Sequence, residues 1–138
     1  MRVYLIDTNV LSEARKGSGG NPGVRKFLQR SRDDLLYLSV QTIGEIRRGL
    51  EMIRQRGDLS QVRTLEDWLV LLTEEYADRI LTFDASCAQI WGKLMAIDPN
   101  NPVDKQIAAI ALIFDLTVVT RNTGDFEKTG VRLLNPFV

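Results

Sequence analysis

Short apolar runs that stop at polar clusters, each followed by residues at helical spacing, recur along this chain. They confine it to an architecture in which strands and helices alternate. Val3 to Ile6 is the first such run; it is β-rich and ends at Asp7-Thr8-Asn9, where a helical pattern begins. Leu35 to Leu38, Arg79 to Phe83 and Leu116 to Thr120 repeat the theme, and Val131 to Leu134 reads as a last short strand. Helices are expected over Val24 to Ser31, from about Ser39 to Arg56, and over Leu59 to Tyr76. Asp84 caps a further helix holding Ala88, Trp91, Leu94 and Met95, and another runs from Val103 or Asp104 to Asp115. On the second of these, Val40, Ile43, Ile46, Leu50 and Ile53 mark the core face; on the third, Leu65, Trp68, Leu69 and Leu72 point inward. Gly17 to Pro22 is the one flexible stretch, a loop between helices. The 138 residues suit one domain, so the expectation is a single α/β sandwich over 1–138 with a mainly parallel sheet. Such sheets bind ligands outside the carboxyl ends of their strands.

Bulk properties narrow the chemistry. Eighteen Lys and Arg balance eighteen Asp and Glu, which argues against a protein that coats nucleic acid through a broad positive surface. Two basic groups, Arg25-Lys26-Arg30-Arg32 and Arg47-Arg48-Arg54-Arg56, read as solvated helix faces. A lone cysteine, Cys87, excludes an intramolecular disulfide. The N-terminal apolar run is too short for a signal peptide, and no run approaches the roughly 18 apolar residues of a membrane span. The longest, Ile107 to Phe114, fits a buried helix, and a cytoplasmic location is expected. Histidine is absent altogether. That removes Ser-His-Asp triads, Cys-His nucleophiles and His-ligated zinc, leaving carboxylates, hydroxyls, Lys, Arg or metal-activated water.

Four carboxylates draw attention, and three of them, Asp7, Asp104 and Asp125, fall at strand ends or helix beginnings where an α/β sheet presents its site. Asp7 directly follows the first strand, and its simple reading is a helix N-cap. Glu45 follows Thr42 in a capping-box pattern, yet a helix beginning near Ser39 puts it in the second turn. Both readings stay open. Gly44 and Gly49 each cost that helix about 1 kcal/mol against alanine, which a close approach of backbone or ligand would offset. Asp104 heads the apolar stripe Ile107, Ala108, Ala111 and is therefore turned toward the protein. A helix dipole supplies about 0.3–1 kcal/mol there, too little for an unpaired buried charge, so a cation is called for. Asp125, beside Gly124, reads alone as a turn residue. Gathered about 5 Å apart, each pair of such acids repels by about 3 kcal/mol at an effective dielectric near 20. Divalent ions with a preference for oxygen, Mg²⁺ or Mn²⁺, would relieve that repulsion.

Leu5-Ile6-Asp7-Thr8-Asn9-Val10-Leu11, Ser39 to Gly49, Pro102-Val103-Asp104 and Val119 to Phe126, in that order, resemble the motifs of PIN-domain toxins of the VapC type. Gly130 to Phe137 resembles that family's C-terminal strand and tail, so the likeness spans essentially the whole chain. The resemblance implies a PIN-like three-layer α/β/α sandwich and an Mg²⁺- or Mn²⁺-dependent endoribonuclease that hydrolyses RNA phosphodiesters. It implies a type II toxin, usually a homodimer, blocked by a cognate antitoxin and linked to operator DNA only through it. Carried over position by position, the metal-binding and catalytic acids are Asp7, Glu45, Asp104 and Asp125. Thr8 and Thr120 are hydroxyl supports, and Asn122 is a polar group one layer behind. Arg47, Arg48 and Arg121 are candidate phosphate contacts, since guanidinium suits phosphate geometry, with surface or dimer-interface arginine as the other reading. The Gly17–Gly20 loop is less typical of the family.

Two rivals remain. An aspartyl-phosphate phosphatase wants a second aspartate two residues after the first, and Asn9 stands there instead. A non-catalytic PIN-fold scaffold or nucleic-acid-binding protein would be marked by lost carboxylates, and all four are present.

Overall fold

The computed structural model describes residues 1–138. Its sheet is parallel throughout, with β1 (Tyr4–Ile6) at the centre, β2 (Leu36–Ser39) and β3 (Ile80–Leu81) on one side, and β4 (Thr117–Val119) and β5 (Arg132–Leu134) on the other. Between the strands lie α1 (Thr8–Ala14), α2 (Pro22–Arg30), α3 (Val40–Gln55), α4 (Leu59–Glu75), α5 (Ala85–Ile97) and α6 (Pro102–Phe114).

Alternation along each strand sorts the core into two halves. Ile6 and Val119 point to one face and pack with Val10, Val24, Phe27, Leu69 and Leu72 from the first four helices. Leu5 and Val118 point to the other and meet Leu94, Ile107, Ile110 and Phe126. The result is the expected three-layer α/β/α sandwich, in which each fully buried Val, Leu or Ile contributes about 1.5–3 kcal/mol relative to exposure.

Caps explain where the helices begin. Asp7 Oδ1 accepts from Thr8 N, Ser39 Oγ from Thr42 N and Asp84 Oδ1 from Cys87 N. Ser39, rather than a Thr42–Glu45 box, therefore opens α3, and Glu45 falls in its second turn. Pro102 starts α6, because its fixed φ and missing N–H suit a first helical position. The third strand is shorter than its apolar run, since the chain leaves the sheet to reach the Asp84 cap. The run from Ile107 is buried only to Ala111; Leu112, Ile113 and Phe114 are exposed. No helix is long and apolar enough to cross a membrane.

Candidate functional site

β1 continues through α1 and α2 to its neighbour β2, whereas its other neighbour β4 is reached only after β3, α5 and α6. The strand order reverses between β1 and β4, and such a switch point opens a crevice at the carboxyl ends. Asp7 leaves β1 there and Thr120 leaves β4.

Asp7 is almost fully buried, at 4% exposure. Its Oδ1 accepts from Thr8 N at 2.9 Å, and Oδ2 accepts from Asn9 Nδ2 at 3.1 Å and Thr120 Oγ1 at 2.8 Å. Three donors leave one of about four lone-pair sites for something else. Even so, the carboxyl is pushed above its ordinary value: burial outweighs the three hydrogen bonds, and the Asp125 charge adds to it. Asp7 is thus both the cap of α1 and a strained acid.

Glu45 is held by Thr8, whose hydroxyl donates to Oε1 at 2.8 Å. The residue is open to solvent, yet crowding of its carboxyl end raises the pKa, Asp7 repels it further, and Thr8 and Arg48 oppose. Screening by that solvent limits the effect, so the direction is what counts. Asp104, third residue of α6, is half-buried while Ile107, Ala108 and Ala111 beneath it are sealed. Its carboxyl is pushed up to about 7, first by burial, then by Asp7, Asp125 and Glu45 in that order. The adjacent Lys105 gives it little relief, because that buried ammonium is spent on Asp98 Oδ2 at 3.2 Å and on Asn100 O. Asp125 is exposed at the start of a short turn of helix, with its N–H on Asn122 O, and acts on both buried aspartates.

Asp104 therefore lies within electrostatic reach of the other three acids, and Asp7 within reach of Asp125. No three of them are drawn into a ready-made metal cage. Unneutralised carboxylates keep their distance at several kcal/mol per close pair, and Mg²⁺ commonly takes only one or two carboxylates and retains water. The all-oxygen donor set and the spare lone pair on Asp7 are chemistry that a hard cation could bind.

The supporting residues fall as follows. Thr120 donates to Asp7 and accepts from Asn9 Nδ2 and Asn122 N, the latter at 3.0 Å. Asn122 thus contributes its backbone. Arg47 is committed to Glu66 and Glu51 at 2.6 and 3.1 Å, which favours the surface reading for it. Arg48 acts on Glu45, and Arg121 lies over the Phe137 ring at 4.7 Å. Sequence reasoning missed Asn9, which joins Asp7, Thr120 and Arg121 N; its position two residues after Asp7 was the available signal. It also missed Lys105, for which charge pattern gives no signal. No backbone closes on Gly44 or Gly49: an added Cβ at either meets no protein atom within 4 Å. Gly44 borders a groove of about 690 Å³ between α3 and α4, and Gly49 another of about 230 Å³ lined also by Thr8 and Glu45.

With this geometry in place, likeness to known proteins can be read. The PIN-domain family model matches residues 4–131. The chain is similar to the plasmid stability protein StbB of Pseudomonas syringae pv. tomato, 35% identical over 98% of this chain and 99% of that one. It is similar to the VapC ribonuclease Y4jK of Sinorhizobium fredii, at 31% identity over 98% of each. Among solved structures, FitAcB from Neisseria gonorrhoeae superposes with a TM-score of 0.87 at 31% identity, covering 97% of this chain and 98% of that one. FitAB bound to an IR36 DNA fragment gives 0.81 at 30%, covering 97% and 95%.

Proposed function

The chain belongs to the PIN-domain family, and from that premise we propose that it is an endoribonuclease, the toxin of a type II toxin–antitoxin pair, working with Mg²⁺ or Mn²⁺. The observation that carries this reading is Asp104: a half-buried carboxyl pushed to about 7 by burial and by three neighbouring acids at the switch point of the sheet. A site built at that cost in stability is built for a cation.

Asp7 and Asp104, with Asp125 and Glu45, which both act on Asp104, are the acids that would hold the ion. Such an ion supplies Lewis acidity toward a phosphate oxygen and lowers the pKa of water beside it. Thr120 and Asn9 fix the carboxylate plane of Asp7 and, with Thr8 N, leave it one lone pair unused. Thr8 orients Glu45, which could take a proton from the water that attacks the phosphodiester. Arg121, which belongs to no ion pair, is the candidate to meet a substrate phosphate, with Arg48 beside Glu45 as a second candidate.

An antitoxin partner and a contact with operator DNA through it follow from relatives whose structures hold FitAcB, or FitAB on DNA. A homodimer is proposed from the family resemblance alone. The alternative, a PIN fold that binds nucleic acid without cutting it, draws on the missing three-acid cage.

The test is cleavage of mixed RNA with Mg²⁺ or Mn²⁺, with and without EDTA. Cleavage that EDTA stops, and that Asp7→Asn and Asp104→Asn abolish in folded protein, is the expected result. Binding without cleavage in either metal would establish the alternative.

A further inference from the structure

The tail after β5, a segment that ordinarily frays, is tied down here. Asn21, at the start of α2, brackets Val138 with its side chain: Nδ2 donates to Val138 O at 3.0 Å, and Oδ1 accepts from Val138 N at 3.2 Å. The same Oδ1 accepts from Gly23 N at 2.9 Å, so the amide that caps α2 also holds the tail. Gly23 marks the closest approach, since a Cβ there would collide with the Pro136 carbonyl oxygen and crowd Val138. The Gly17–Gly20 loop serves the same arrangement. Gly20 lets the backbone close on the Glu13 carbonyl, Arg25 pins Ser18 O at 2.8 Å, and the Glu13 side chain accepts from Asn21 N at 2.8 Å.

What the latched tail delivers is Phe137. Its ring packs partly against the core and lies under the Arg121 guanidinium. Arg121 follows Thr120, and its own N–H is held by Asn9, the residue that bonds Asp7. The guanidinium belongs to none of the ion pairs of the chain and makes no hydrogen bond. Nor is its charge used up on the acid centre: Arg48 acts on Glu45 and Lys105 on Asp104, whereas Arg121 acts on Glu13. A guanidinium resting on an aromatic face has given up rotamer freedom in advance, yet keeps its N–H edge for an oxyanion.

Resting on the nuclease reading, we infer that Arg121 seats a backbone phosphate of single-stranded RNA flanking the acid site, on the side of Glu13 and the tail, and that Phe137, latched through Asn21 and Gly23, is the positioning residue that holds it there.

Mixed-sequence single-stranded RNA oligonucleotides probe this with the full chain. Cleavage gives KM and kcat, and an Asp7→Asn background gives binding as a function of salt. Phe137→Leu keeps an apolar side chain against the core but removes the ring; Phe137→Tyr keeps the ring. Arg121→Ala and Phe137→Leu are each expected to raise KM about 5-fold with kcat within about 2-fold. Each should lower the slope of log Kd against log salt by about 0.7, the share of one phosphate contact on a single strand. Phe137→Tyr should match the parent, and the double variant should be no weaker than Arg121→Ala alone. Gly23→Ala, which dislodges the tail without touching either side chain, should reproduce Phe137→Leu. Parent-like KM and slope in Phe137→Leu, or losses that add in the double variant, would overturn the inference. So would weak binding in Phe137→Leu beside an unaffected Arg121→Ala, which makes the ring a base platform. A parent that binds RNA but never cleaves it ends the nuclease reading while leaving the binding arm to decide this one; a parent that binds no RNA ends both.

Discussion

Glu45 and Glu51 stand under two turns apart on helix α3 and have opposite fates. Glu51 sits among cations: Arg54 and Arg47 both reach it, Glu66 on α4 closes the network, and its carboxyl is held below the ordinary range. Glu45 faces other acids, and its carboxyl is pushed up. Every charge in the first region finds its partner inside the chain, so that region is complete. The second region contains Asp7, Glu45 and Asp104, all raised, with the nearest buried ammonium diverted to Asp98. An electrostatic arrangement left unfinished in a marginally stable fold points outward, to a ligand that finishes it.

The largest expected effect separates the two regions by activity. Asp7→Asn and Asp104→Asn should each lower RNA cleavage by on the order of 10³-fold, whereas Glu51→Gln should stay within about 2-fold of the parent. Initial rates on folded proteins decide it, and equal losses in both regions would erase the contrast. Metal comes next. Mg²⁺ or Mn²⁺ at about ten times its dissociation constant should raise Tm of the parent by about 5 °C, and Asp104→Asn should lose most of that gain. An unchanged Tm in the parent would leave the acid centre without its cation.

The pH dependence sharpens the contrast further. Asp104 titrates near 7 in the folded protein against an ordinary value of 3.8. Between those values the folded chain holds a proton that the unfolded chain has released, so its contribution to stability falls as pH rises through this window. In EDTA, Asp104→Asn should melt about 4 °C above the parent at pH 8, and the gap should close toward pH 5. A variant that melts well below the parent at pH 8 would contradict it. The smallest effect belongs to the completed network: Arg54→Gln should move Tm by no more than about 2 °C, less again in high salt, since exposed pairs contribute little.

Much of this was legible in the residues. Strand-then-helix periodicity located all five strands, and the start of α3 near Ser39 already placed Glu45 in a second turn. Asp104 could be recognised as an inward-turned acid because the apolar stripe below it fixes its direction on the helix. The arginines were not sorted, since a run of basic residues does not say which will find a carboxylate on another helix; Arg47 did and Arg121 did not. Nor could the Gly17–Gly20 loop be read, because its partner is the far end of the chain.

Sequence alone determined the period of each element and which side chains face the core, because those depend on neighbours a few residues away. It also set the chemical alphabet, carboxylates without histidine. Only the tertiary structure decided that Asp104 lies within electrostatic reach of Asp7, Asp125 and Glu45, and that Lys105, paired with Asp98, gives Asp104 little relief. Repulsion and pairing fall off steeply with distance through space, and that distance does not exist until the sheet has brought β1 beside β4.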